Sequence, residues 1–407
     1  MAPAEQLRRQ HHDLSALSGS EPINEAPRIA SNSARLRILH VIESCGGSGR
    51  HVLDLAKGQI LAAHDVTVIY SPNRAEESFL EELLSVKGLR TWPMPMKRAV
   101  CLHDAVSLRV LTGLVRQSGP YDILHGHSSK AGALIRLLPP WVSGARIYTP
   151  HAFRTMDPSL SQSKRVVFAG LEKILAGVVR GPILTGSEQE TEAGIDIGIR
   201  PAQLRRIPFA IDPGPLPTRQ TARSGLNLAD DVPVIGFVGR LATQKAPERV
   251  VEALAKMQTT STRLVMVGGG PLTQDALIAS AAKMGVADRI LFTGPLRGVD
   301  VMPAFDLFVI PSRYESLGYI FLEGLAAGIP MVATDVGIAK DVIQTEENGL
   351  IVENTDDPSV WATALDDALT PSKLKQLTAG AIKRKKTTAL SDMVNAVEII
   401  YRECLSQ

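Results

Sequence analysis

Aromatic residues make up only 4% of this 407-residue chain, which leaves little material for stacking on nucleobases. Charge of one sign is missing too: 44 Lys and Arg against 42 Asp and Glu give +2, so no nucleic-acid partner is expected. The three cysteines, Cys45, Cys101 and Cys404, are odd in number and share no metal-like spacing. They suggest neither a disulfide framework nor a zinc site, and a reducing, cytoplasmic compartment follows as the expectation. The most apolar stretch, Leu307 to Val332, is broken by Arg313, Glu315 and Glu323, so no membrane-spanning helix is expected. Residues 1–35 lack the apolar core of a signal peptide and read as a disordered tail. What remains, 44% hydrophobic and 21% charged, is the composition of a globular protein of two or three domains.

From Leu36 onward, short β-branched runs alternate with turns and helical stretches, the pattern of parallel strands joined by crossover helices. Strands are expected at 36–42, 65–71, 123–128, 146–151 and 183–187. Prolines 208, 213, 215 and 217 open a polar linker, after which strands follow at 234–240, 264–268, 290–294, 307–312, 331–335 and 350–352. The reading is α/β, with two doubly wound Rossmann-like domains: 36–210, a linker 211–231, and 232–370. The helical segment 371–407 fits either domain. From Lys97 to Arg180 there are 12 Lys or Arg against four Asp or Glu, whereas Asp230 to Asp367 has ten against 19. A solvated surface accounts for this asymmetry; so does a basic first domain held against an anionic inner-membrane surface. All nine histidines lie at or before His151.

A glycine-rich turn after a first strand usually binds phosphate, through backbone N–H groups at a helix N-terminus. Gly46-Gly47-Ser48-Gly49 occupies that position, but it matches neither G-x-G-x-x-G nor the G-K-[ST] ending of a P-loop. In the second domain, Gly239-Arg240 with Lys245 follows a strand, where two cations can clamp a diphosphate or simply be solvated. Further on, Glu315 precedes a short helix starting near Gly318, and Glu323 lies inside it. Carboxylates that accept from sugar hydroxyls, beside free N–H groups of Gly318 to Ile320, would make a nucleotide-sugar site; a cap and a salt bridge would be the structural alternative. His125 and His127 lack a third ligand spaced with them, which argues against a metal.

These stretches, with Gly268-Gly269-Gly270-Pro271, Phe292-Thr293-Gly294, Gly328-Ile329-Pro330 and Asn348-Gly349-Leu350, resemble retaining glycosyltransferases of family 4. The first-domain runs His125 to Gly132 and Tyr148 to Phe153 are similar to bacterial members that build exopolysaccharide, capsule or lipid-linked glycans. The resemblance implies a GT-B fold, with two Rossmann-like domains facing each other across a cleft. It implies that Arg240 and Lys245 hold the diphosphate of a UDP- or GDP-sugar, Glu315 the sugar hydroxyls and Glu323 the ribose. Gly46, Gly47, Ser316, Leu317, Gly318, Tyr319 and Ile320 would line the donor, and His151 would sit over the transferred sugar. His127 and Lys130 are candidates on the side of a glycan or polyprenyl-diphosphate acceptor. No cofactor and no metal are implied, since no D-x-D triplet is present. Leu317 stands where the family usually has Phe, and Gly337 to Asp341 replaces Gly-Gly-x-x-Glu. Two other readings stay open: a nucleotide-sugar 2-epimerase of the same fold, and a non-catalytic sugar-binding protein.

Overall fold

Thirteen strands form two parallel sheets in a computed structural model that describes residues 34–43, 47–75, 77–97, 103–315, 317–385 and 389–406. Residues 1–33 of the expected tail, together with Cys45, Gly46, Cys101 and Ser316, lie outside the described residues. The first sheet contains β1 (Arg37–Ile42), β2 (Asp65–Tyr70), β3 (Arg90–Pro93), β4 (Ile123–His127), β5 (Ala145–Thr149), β6 (Ile183–Thr185) and β7 (Leu204–Arg206), in the order β3-β2-β1-β4-β5-β6-β7. The second contains β8 (Val234–Val238), β9 (Arg263–Val267), β10 (Ile290–Gly294), β11 (Leu307–Ile310), β12 (Met331–Thr334) and β13 (Gly349–Val352), in the order β10-β9-β8-β11-β12-β13. Both orders reverse direction beside the first strand of their sheet, at β1/β4 and at β8/β11. In open α/β sheets such a reversal leaves a crevice at the strands' carboxyl ends.

The central strands are Val-, Ile- and Leu-rich because helices cover both of their faces; β1, β4 and β11 are buried almost throughout. All eleven expected strands are present, most ending one or two residues earlier than the β-branched runs suggest. The sequence reading misses β3 and β7. Both are edge strands, Arg-Thr-Trp-Pro and Leu-Arg-Arg, and an edge strand with one open side keeps polar residues and tolerates proline.

Within the expected linker, Arg219–Gly225 is a helix capped by Thr218 Oγ1, which accepts from Thr221 N. It is fastened to the second domain by the buried Arg223, whose guanidinium donates to Asp306 Oδ2 (2.7 Å) and to the carbonyls of Ala304, Ala229, Asp230 and Val232. The last helix, Leu390–Leu405, lies on the first domain. Val394 fills the space beside Gly58, where a Cβ would come within 2.4 Å of its Cγ2, and Arg205 of β7 pairs with Glu403 at 2.8 Å.

Candidate active site

The second domain delivers its charges from two neighbouring strand ends. The loop after β8 carries Arg240 and Lys245; the loop after β11 carries Ser312 and Glu315. Lys245 Nζ lies 2.5 Å from Glu315 Oε1, which also accepts from Ser312 Oγ at 2.7 Å. Arg240 reaches outward, donating to Gln244 Oε1 at 3.2 Å. The β11 loop is held from behind by the buried Arg249, which donates to the Pro311 carbonyl (2.9 Å) and Asn354 Oδ1 (2.8 Å).

The helix Tyr319–Ala327 begins at Gly318, which has φ of +77°, and ends at Gly328, at +74°. Both left-handed positions suit glycine. The N–H groups of Tyr319 and Ile320 stand at the helix N-terminus, where no intrahelical acceptor exists, whereas Phe321 N donates to the Gly318 carbonyl at 2.9 Å. Leu317 is buried, its Cδ2 3.0 Å from where a Gly186 Cβ would sit, and its carbonyl accepts from Ile338 N at 2.9 Å. The departure at 337–341 is thus built into the same turn: a Cβ on Gly337 would lie 2.4 Å from the Leu317 oxygen.

Glu323 makes no hydrogen bond or ion pair with a described residue. Burial pushes its carboxyl up to about 7, while Arg50, Lys245 and Arg297 pull it back. Arg50, directly after the glycine-rich turn Gly46–Gly49, and Arg297, just beyond β10, went unmarked in the sequence, because what makes them site cations is the buried Glu323 that the fold sets beside them. Arg50 is bound to Asp54 (3.0 Å), Glu82 (2.9 Å) and the Asp212 carbonyl (2.5 Å), so it ties the start of the helix Gly47–Leu61 to the interdomain linker.

Opposite stands a buried group of five histidines. The sequence signal was only their crowding into the first domain; alternation and register make it a cluster. His125 and His127 are two apart on β4, and His40 of β1 is paired in register with His125. His51 comes from the helix Gly47–Leu61, and His151 from the turn after β5. The expected strand 146–151 stops at Thr149, and His151 (φ +54°) and Ala152 (φ +74°) turn through the left-handed region. Glu190 holds that strained turn: its carboxylate accepts from Ala152 N at 2.6 Å and Gly186 N at 2.7 Å, while Ser187 Oγ caps the helix by accepting from Glu190 N at 3.0 Å.

The ring nitrogens form one line. His40 Nε2 lies 2.8 Å from Gln59 Oε1, His40 Nδ1 2.9 Å from His127 Nε2, His127 Nδ1 3.1 Å from His151 Nε2, and His151 Nδ1 3.2 Å from the Tyr319 hydroxyl. Burial lowers His40 to about 4 and His151 to about 3, and holds His127 far below the usual imidazole range, so all three are neutral. The Gln59 oxygen can only accept, so His40 carries its proton on Nε2. The same logic puts a proton on Nε2 of His127 and His151 and makes the Tyr319 hydroxyl donate to His151 Nδ1. With both nitrogens engaged, His151 positions rather than acts as a base in this state. His125 is likewise engaged, with the Tyr401 hydroxyl (2.6 Å) and Thr149 Oγ1 (2.8 Å).

Two triads, His40–His125–His127 and His51–His127–His151, bring one ring nitrogen each within 4.8 Å of one another. The sequence argument against a metal, the lack of a third ligand, therefore fails on the fold. What opposes a cation is that hydrogen bonds already use both nitrogens of every ring in the cluster except His51, whose two nitrogens have no partner among the described residues. A cation would have to break the His40–His127 contact in the first triad or the His127–His151 contact in the second.

The two halves meet at Tyr319. A Cβ on Gly47 would lie 2.7 Å from Tyr319 Cδ2, and Phe209 stacks on Tyr319 with ring centroids 6.1 Å apart. Gly47, His151, Leu317, Gly318, Tyr319, Lys245, Glu315 and Glu323 are thereby gathered along one interdomain cleft. Ile320 follows Tyr319 in the same helix, and Arg240 stands at the cleft's exposed edge. His127 lies behind His151 with no exposed surface, and Lys130 is paired with Asp104, so neither presents itself openly to an acceptor.

The family model "Glycosyl transferase 4-like domain" matches residues 46–210, and "Glycosyl transferases group 1" matches residues 218–384. A D-inositol 3-phosphate glycosyltransferase of Actinosynnema mirum is 31% identical, over 65% of this chain and 68% of its own length. The enzyme of the same name from Acidothermus cellulolyticus is 27% identical over 90% of this chain and 88% of its own. Anabaena HepE, solved in complex with UDP and glucose, superposes with a TM-score of 0.76 at 18% identity, covering 92% of this chain and all of that one (100%). With each half matched by one of the two models and the facing sheets of GT-B between them, the chain belongs to the group 1, family 4-like glycosyltransferases.

Proposed function

We propose that this glycosyltransferase moves a sugar from a nucleoside-diphosphate donor, UDP- or GDP-linked, to a glycan or lipid-linked acceptor, with retention of configuration and without a metal. The Lys245–Glu315 pair in the cleft carries the reading. An ammonium and a carboxylate held 2.5 Å apart can each take a different part of one ligand: Lys245, with Arg240, the diphosphate; Glu315 the sugar hydroxyls. Glu323, which has no partner among the described residues and whose carboxyl burial raises to about 7, would accept from ribose hydroxyls. Backbone N–H groups at Gly47 and Gly318 to Ile320 would face the phosphates and sugar, together with Gly46 and Ser316.

Bond cleavage leaves negative charge on the diphosphate, and preorganised cations beside a helix N-terminus stabilise it without reorganising. His151, fixed by its two hydrogen bonds and the Glu190-held turn, supplies a wall over the sugar. The leaving phosphate is then the group on the same face that can take the acceptor's proton, which accounts for retention without a protein base. The acceptor named for the curated relatives is a phosphorylated cyclitol; the surface described below favours a membrane-anchored acceptor of polysaccharide or lipid-linked glycan assembly for this chain.

A thermal-shift panel of nucleotide sugars tests the donor, because stabilisation follows RT ln(1 + [L]/Kd). A UDP- or GDP-sugar should stand out, and product formation in EDTA should match that without it. No stabilisation by any nucleotide sugar would overturn the reading. Free sugar released without an acceptor would favour the 2-epimerase, and binding without turnover the sugar-binding protein.

A further inference from the structure

The helix Gln162–Val178 lies on the outside of the first domain, between β5 and β6. Its buried side rests on Glu172 and Ala176. Its outer side carries Val166, Val167, Leu171, Ile174 and Val178, exposed by 62, 60, 44, 62 and 73%. At about 100° per residue these positions fall on one stripe. Gly170 and Gly177 lie within the stripe and face open space, so no element of the described residues covers it there. Ordinary surface helices bury their apolar face; here five large aliphatic side chains point away from the protein.

The charges around the stripe are arranged as well. Lys164 and Lys173 are exposed and project to its two opposite edges. The one acidic residue of the helix, Glu172, is on the buried side, bound to Arg136 at 2.7 Å and to the Tyr148 hydroxyl at 2.9 Å. The exposed face therefore carries positive charge only, in a stretch of chain that is itself basic. At its first turn, Arg165 donates to the carbonyls of Thr155 (2.6 Å) and Asp157 (3.2 Å), in the loop that descends from His151.

We infer that this helix is a docking surface for an anionic lipid bilayer. An aliphatic stripe edged by lysines sinks into the headgroup region with its ammonium groups among lipid phosphates, lying flat rather than spanning. No helix of the described residues is long and apolar enough to cross a membrane. A second copy of the chain is the poorer occupant. A two-fold pairing would set the same lysines against each other, and five side chains of one helix fall short of the roughly 20–30 residues per partner of a stable interface. Docking here would hold the His151 loop close to the lipid surface, where an acceptor on a lipid carrier is presented. The membrane-anchored acceptor rests on this surface; the surface itself does not rest on the donor site.

Co-sedimentation of the full-length protein with phosphatidylcholine vesicles, with and without phosphatidylglycerol, is the test. Binding should require phosphatidylglycerol and fade at high salt. The double substitutions Val167→Asp with Ile174→Asp, and Lys164→Glu with Lys173→Glu, should each weaken it at least about tenfold. All four positions are exposed, so thermal unfolding and the shift produced by a nucleotide sugar should stay as in the parent protein. That separates failure of docking from failure of the donor reading. Vesicle binding indifferent to both double variants, or no binding at all, would overturn the inference. So would a dimer in sedimentation velocity that Val167→Asp with Ile174→Asp dissolves.

Discussion

At the scale of single residues the cleft is a set of pairings that a ligand would have to exchange. Lys245 and Glu315 neutralise each other in the structure, and each is the other's replacement for a part of the donor. Lys245→Ala should reduce kcat by roughly 10² to 10³, the usual cost of losing one preorganised donor to a developing anion. Unfolding temperature should change little, because Glu315 keeps Ser312 as a partner. Near-parental turnover would remove Lys245 from the diphosphate. These two residues could be read in the sequence because they sit at strand ends beside glycines. Arg50, Arg297 and Glu190 could not, since their parts depend on what the fold sets opposite them.

At the scale of elements the site depends on two turns and one contact. The chain leaves β5 through the strained pair His151–Ala152, and the helix Tyr319–Ala327 starts at a left-handed glycine. The helix was legible from its glycine and proline boundaries. The early end of β5 was not, because Tyr148 to His151 reads as extended chain until Glu190 arrives to hold the turn. Between these elements, Gly47 admits the Tyr319 ring. Gly47→Ala would place a Cβ 2.7 Å from that ring and push the domains apart at the cleft. The expected outcome is an activity loss of about tenfold or more with the secondary structure retained, since the cleft must close to exclude water. Unchanged transfer kinetics in Gly47→Ala would show that closure does not use this contact.

At the scale of the molecule, the final helix crosses back and locks the histidine cluster from behind. Tyr401→Phe removes the hydroxyl bound to His125 Nδ1 and leaves a buried nitrogen without a partner, a cost of about 1–3 kcal/mol that a denaturant titration would register. The same cluster sets the pH response. His40, His51, His125, His127 and His151 are all held below the usual imidazole range by burial, so between about pH 6.5 and 4 the unfolded chain binds protons that the folded one refuses. Their stabilisation is present above pH 6.5 and is lost as pH falls. Burial raises Asp54 to about 6 and Glu190 and Glu323 to about 7, an opposing trend that loses stability as pH rises through those values. Five groups outweigh three, so unfolding temperature should drop as pH is lowered from 6.5 to 5. A flat or rising profile on acidification would contradict the neutral, buried cluster.

The sequence by itself determined the two α/β domains, the central strands and the charged groups of the second-domain loops, because continuous β-branched runs and strand-end glycines are local properties of the chain. Only the tertiary structure decided that the edge strands exist, that the last helix belongs with the first domain, and that five scattered histidines form one buried cluster, three of them in a hydrogen-bonded line ending at Tyr319. Those features arise from strand order and register, which bring together residues up to 276 positions apart, and no local pattern encodes such a pairing.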